Sequence, residues 1–163
     1  MDRNQPLLLV AVYPGQPPAV VAEAARLAAS MSCPLVCAYA NPARYPVSES
    51  IDGSVKSAPL DPDFMDDDGE TFPVQLATRL GRQLDPGHVQ WRPLLLAGDA
   101  AAALARCAEI LHASMIVVGT STDHHSPLHK ILSRSVAVKL GRAQRCPVLV
   151  VPVHHAPLGQ AEQ

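Results

Sequence analysis

Short runs of consecutive apolar residues alternate along this chain with longer stretches in which apolar positions recur every three or four residues. Leu7-Leu8-Leu9-Val10-Ala11-Val12 is continuous rather than alternating, the pattern of a strand covered on both faces, and Tyr13-Pro14-Gly15 ends it. Pro17 and Pro18 suit a helix start, and the segment to Met31 places Val20, Ala24, Leu27, Ala28 and Met31 on one face with Glu23 and Arg26 outside. Pro34 to Ala40 reads as a second strand. A helix then runs from near Thr71 and Pro73 through Leu76, Leu80 and Leu84, and Val89 to Leu96 reads as a third strand. Asp99 is placed to cap a third helix whose inner face carries Leu104, Cys107, Ala108 and Leu111. Ser114 to Gly119 is a fourth, fully buried strand. Ser126-Pro127 opens a fourth helix through Leu128, Ile131, Leu132, Ser135 and Val138, and Pro147 to Val151 closes as a fifth strand. Residues 153–163 read as a loose tail. Five strands alternating with four helices predict an α/β fold, a doubly wound five-stranded parallel sheet in one domain with its core over 7–152. Ligands in such sheets sit outside the carboxyl ends of the strands, so the loops after the first and fourth strands are the places to look.

One stretch departs from this pattern. From about 41 to 69 the chain is rich in Pro, Ser, Asp and Gly without periodic apolar positions, which predicts a mobile or disordered insertion. The length of 163 residues suits one domain, and a hydrophobic fraction of 48% with only 4% aromatic leaves Val, Leu, Ile and Ala to fill its core. The formal net charge of −2 argues against a nucleic-acid binder, but it hides a split. Between Pro42 and Phe72 eight acidic residues face two basic ones, a balance of −6, while Lys130, Arg134, Lys139, Arg142 and Arg145 cluster late in the chain. Both regions follow carboxyl ends of strands and are expected on the same rim. The run Leu7 to Val12 is too short for a secretory core and no stretch has the roughly 18 apolar residues of a membrane span. A cytoplasmic protein without membrane partners is expected, and Cys33, Cys37, Cys107 and Cys146 read as small hydrophobes rather than disulfides.

Several chemistries are set aside on spacing. His125 and His129 stand four apart, but Pro127 between them prevents the shared helix that would converge them on a metal, so no metal site is expected. Gly119-Thr120-Ser121-Thr122-Asp123 misses the nucleophile elbow, which needs glycine where Asp123 stands. Tyr13 and Ala97 occupy the strand ends where a phospho-receiver needs carboxylates, and no G-x-G-x-x-G is present.

The run Leu96-Ala97-Gly98-Asp99, a helix, Met115-Ile116-Val117-Val118-Gly119, a loop, a helix containing Ser135-Val136, and Cys146-Pro147-Val148-Leu149-Val150-Val151-Pro152 resembles the universal stress protein family. That resemblance implies a Rossmann-like sheet of the adenine nucleotide α-hydrolase type with strand order 3-2-1-4-5. It also implies homodimers through the last strand, Val148 to Val151, and, in one subgroup, ATP or AMP at the switch point, with Mg if ATP. In nucleotide-binding members Gly, two residues, Gly, nine residues, then Gly and Ser or Thr form the motif. Gly119 matches the first position, Thr122 stands at the second glycine, and Arg134 stands at the third beside a retained Ser135, with two extra residues in the loop. Tyr13 occupies the place of an Asp that contacts nucleotide in binders. Thr122 and Arg134 add bulk where glycines let a phosphate approach the backbone, while Lys130 and Arg134 can supply charge directly. The implied base lies near Ala11, Val12 and Ala40, beside Tyr13 and Val118, and the phosphates near Gly119, Thr122, Lys130, Arg134, Ser135 and Val136. Two readings stay open: a nucleotide-sensing regulatory module that is not an enzyme, or a dimeric interaction protein with a vestigial pocket. The last strand is an edge of four aliphatics, and pairing with its copy in a second subunit would cover it.

Overall fold

The computed structural model describes residues 5–63, 67–120, 136–142 and 144–153. In chain order its elements are β1 (Leu8–Ala11), α1 (Ala19–Ser30), β2 (Leu35–Asn41), β3 (Arg44–Glu49), β4 (Val55–Pro59), α2 (Val74–Leu84), β5 (Trp91–Ala97), α3 (Ala100–Leu111), β6 (Met115–Thr120), a helix α4 at 136–142, and β7 (Val148–Pro152). Five strands form one parallel sheet in the order β5-β2-β1-β6-β7, which is 3-2-1-4-5 when the sheet's own strands are counted along the chain. Leu8 pairs with Leu35 and Met115, and Val10 with Cys37 and Val117.

The continuous apolar runs follow from two-sided burial. Leu8 and Val10 face a core built with α1 and α2, whereas Leu7 and Leu9 face a second core built with α3 and α4. Leu8, Leu9 and Val10 are wholly buried. Each such side chain contributes roughly 1.5–3 kcal/mol, so no polar position is tolerated between them. Pro18 is the N-cap residue of α1, and Asp99 Oδ1 accepts the Ala102 N–H at 3.1 Å at the start of α3. Cys33, Cys37 and Cys107 are buried and unpaired; burial pushes the Cys37 and Cys107 thiols up to about 12, which leaves them inert packing groups.

The insertion after β2 differs from the expectation of disorder. β3 and β4 form an antiparallel hairpin with a bulge at Pro46/Ser48, followed by a 3-10 turn, Asp67–Glu70. Its turn is locked locally: Asp52 Oδ1 accepts from Ser54 N at 2.9 Å and Ser54 Oγ at 2.6 Å, and Gly53 adopts φ +84°. A Cβ on Gly53 would lie 3.0 Å from Leu94 Cδ2, so glycine lets the turn sit against β5. Arg44, only 3% exposed, donates to Ser57 Oγ, Ser57 O and Glu70 Oε1, and Arg106 on α3 pairs with Glu49 at 2.8 Å. Part of the acidic excess is thus spent inside the insertion and against α3, through contacts that leave no apolar period in the sequence.

The hairpin's neighbour β5 is the outer strand on that side. Gly98 N–H donates to Asn41 O and Leu35 N–H to Gln90 O, so the even-numbered residues of β5 face β2 and Pro93 turns outward. The outer edge of β5 therefore lacks a donor at its middle.

Candidate functional site

A type II turn at the end of β1 builds the site. Tyr13-Pro14-Gly15-Gln16 closes with the Gln16 N–H donating to Tyr13 O at 3.2 Å; Pro14 supplies its fixed φ and Gly15 a φ of +82°. Arg79 Nη2 of α2 donates to the same carbonyl at 3.2 Å and Gln83 Nε2 donates to Pro18 O at 2.6 Å, so α2 fixes both ends of the β1–α1 connection. The turn returns Gln16 to the end of β1, where its Nε2 donates to Ala11 O at 3.0 Å and the residue is 4% exposed.

The ladders on both sides of β1 end here. Toward β2 the last pair is Ala11–Ala38, with Val12 N–H donating to Ala38 O. The next groups of β2 on that side are the N–H and C=O of Ala40. They extend past the ladder, and Pro14 has no N–H with which to continue it. Toward β6 the last pair is Val10–Val117, and the following rung would run from Gly119 N–H to Ala11 O. That carbonyl takes the Gln16 amide instead.

A cavity of about 420 Å³ occupies the divergence. Of the residues singled out from the sequence, Ala11, Val12, Tyr13, Ala40, Val118, Gly119 and Val136 line it. Thr122, Lys130, Arg134 and Ser135 lie outside the described residues, as do His125 and His129. Sequence reasoning missed Gln16 and the cavity-lining role of Asp99, which it took only as a cap. The signal for Gln16 was the Pro14-Gly15 pair, since a type II turn brings its fourth residue back beside its first. Asp99 lines the cavity with its carboxylate shared between Ala102 N–H and, at 3.5 Å, Lys139 Nζ.

Gly119 has a packing reason independent of any ligand. A Cβ there would lie 2.6 Å from Val20 Cγ2, so α1 approaches β6 only because the side chain is absent. Among the described residues no group of three His, Cys, Asp or Glu side chains is placed to hold a metal, and no helix is long and apolar enough to cross a membrane.

A doubly wound parallel sheet with a mostly apolar cavity where its central ladders open is an α/β domain of the switch-point class. A profile of the universal stress protein family matches residues 7–152, and the chain belongs to that family. A universal stress protein from Archaeoglobus fulgidus matches with TM-score 0.62 and 18% identity over 90% of this chain and 98% of that one. A family protein from Burkholderia pseudomallei matches with TM-score 0.61 and 25% identity, covering 94% and 99%. A universal stress protein from Archaeoglobus fulgidus solved in complex with dAMP matches with TM-score 0.58 and 15% identity, covering 90% of this chain and 97% of that one. No curated protein matches by sequence.

Proposed function

We propose that this protein is a regulatory module of the stress response that binds adenine nucleotide, AMP or Mg-ATP, at the switch point and acts by binding rather than catalysis. The observation that carries this reading is the mostly apolar cavity of about 420 Å³ at the ends of β1 and β6, bordered by the Ala40 backbone groups. Ligand sites occupy roughly 300–1,000 Å³ and are mostly apolar with a few fixed polar groups. A strand N–H beside a C=O fits the adenine edge, whose ring nitrogen accepts and whose amino group donates; guanine presents the opposite order there and mismatches both. The family relative solved with dAMP supports the same choice.

A second copy of the chain is the partner we place against β7. Ile116 N–H donates to Pro147 O, so the odd-numbered residues of this strand face β6 and the backbone groups of Val148 and Val150 turn outward. The side chain of Val150 is 40% exposed. A cytoplasmic setting fits this role.

The alternative, an interaction protein with a vestigial pocket, is favoured by a different feature: the β3–β4 hairpin exposes Tyr45, Val47 and Ile51. One experiment separates the two. Purified protein is extracted under denaturing conditions for bound nucleotide, and AMP, ATP and GTP are titrated by calorimetry. Binding of AMP or ATP in preference to GTP is the expected outcome; absence of bound nucleotide together with no heat at about millimolar ligand, a dissociation constant weaker than about −4 kcal/mol of binding, selects the interaction protein.

A further inference from the structure

Asp99 is the one charged side chain among the described residues that line the cavity. Its place at the start of α3 accounts for an oxygen there, since Oδ1 accepts the Ala102 N–H at 3.1 Å. It does not account for a charge. Neutral Asn and Ser cap a helix about as well as Asp does, so the ionised form adds nothing that α3 needs. The other oxygen, Oδ2, lies 3.5 Å from Lys139 Nζ, a long pair whose two side chains are both half-exposed. Such a pair holds its partners weakly, and Lys139 is not one of the lining residues. The carboxylate therefore acts on whatever enters the cavity.

The size and walls of the cavity decide how far that action reaches. A sphere of about 420 Å³ is about 9 Å across, within the Debye length of about 10 Å at about 0.1 M salt. An anion held anywhere inside stands within reach of Asp99, whichever way round the ligand lies. Most of the lining is apolar, and field lines that run through side chains are screened less than those in open water. The amides of the first turn of α3 would draw an anion toward Gly98 and Ala100, but the carboxylate of Asp99 already fills that place. A neutral ligand escapes this repulsion, and an anionic one meets it in proportion to its charge.

We infer that Asp99 sets the charge selectivity of the cavity, shifting its preference away from triphosphates and toward adenine ligands of lower charge. This rests on the nucleotide reading given above and narrows it. The effect adds to that of any other charge at the site, so it is read as a difference between variants.

The test is a calorimetric titration of adenosine, AMP and Mg-free ATP into the wild type, Asp99→Asn and Asp99→Ser, each at low and high salt. Both variants keep a capping oxygen, and two of them guard against a fault peculiar to either. At low salt the ratio of AMP to adenosine affinity is expected to rise about fivefold in both, and the ratio of ATP to adenosine by more. Both gains should shrink at about 0.5 M salt, where the Debye length is a few ångströms. A merely structural part for Asp99 would move all three affinities together and leave the ratios where they were. Unmoved ratios, or gains undiminished by salt, overturn the charge-selecting role alone. Failure of all three ligands to bind the wild type and both variants overturns the nucleotide reading and this inference with it.

Discussion

Gly119 shows how one residue can carry a motif position for reasons of packing. The motif assigns it to phosphate approach, yet its Cα backs onto Val20 so closely that any side chain collides with Cγ2. Gly119→Ala is therefore expected to lower stability by about 1–3 kcal/mol, the usual range for overpacking a core. Val20→Ala also destabilises, by leaving a cavity under a wholly buried side chain. The double variant is expected to be less destabilised than the two single losses together, because each change relieves the other. Denaturant unfolding of the four proteins measures this; strict additivity would show that the collision is absorbed elsewhere. Neighbouring site residues were legible to different degrees. Ala11, Val12 and Val118 lie at the ends of the first and fourth strands, which the carboxyl-end rule picks out, whereas Ala40 on the second strand came only with the family resemblance. Gln16 came with neither, because its place depends on a turn returning the chain and on a ladder stopping one rung early, neither of which a residue pattern records.

At the level of elements, the strands of the parallel sheet were readable because burial on both faces forces unbroken apolar runs. The β3–β4 hairpin was not. Besides Val55, which packs on the second core, it is held by Arg44 bonded across it, an Asp52 turn, a glycine lying against Leu94 and a pair between Glu49 and Arg106, polar or backbone contacts that leave no apolar period. That last pair makes the docking of the hairpin on α3 depend on pH. Hydrogen bonding from Arg106 holds the Glu49 carboxyl below its ordinary value of 4.5. A carboxyl depressed in the folded state contributes fully above its unfolded value and loses that contribution as pH falls through its folded value. Amide-exchange protection factors over 44–59 are expected to drop between about pH 6 and about pH 3, with little change at the neutral end. In Arg106→Ala they should start lower and vary less. Protection in the wild type that stays level through that range would show that Arg44 and the turn hold the hairpin unaided.

The whole molecule joins these elements into a sheet with two outer strands of unlike character. β7 offers Val148 and Val150 with their backbone groups outward, the edge we place against a second copy. Sedimentation at micromolar concentration should report a dimer, and Val150→Lys, which sets a charge against its own copy across the junction, should report a monomer with the fold intact by circular dichroism. A wild-type monomer would refute the pairing. β5, at the other side, carries Pro93 facing outward and has the hairpin beside it. A sheet open at both edges could add copies without end, strand upon strand, as fibres do. In the proposed dimer, one edge blunted by a residue that cannot donate would stop growth through the other at two: the proline would set the size of the assembly from the side that takes no part in it.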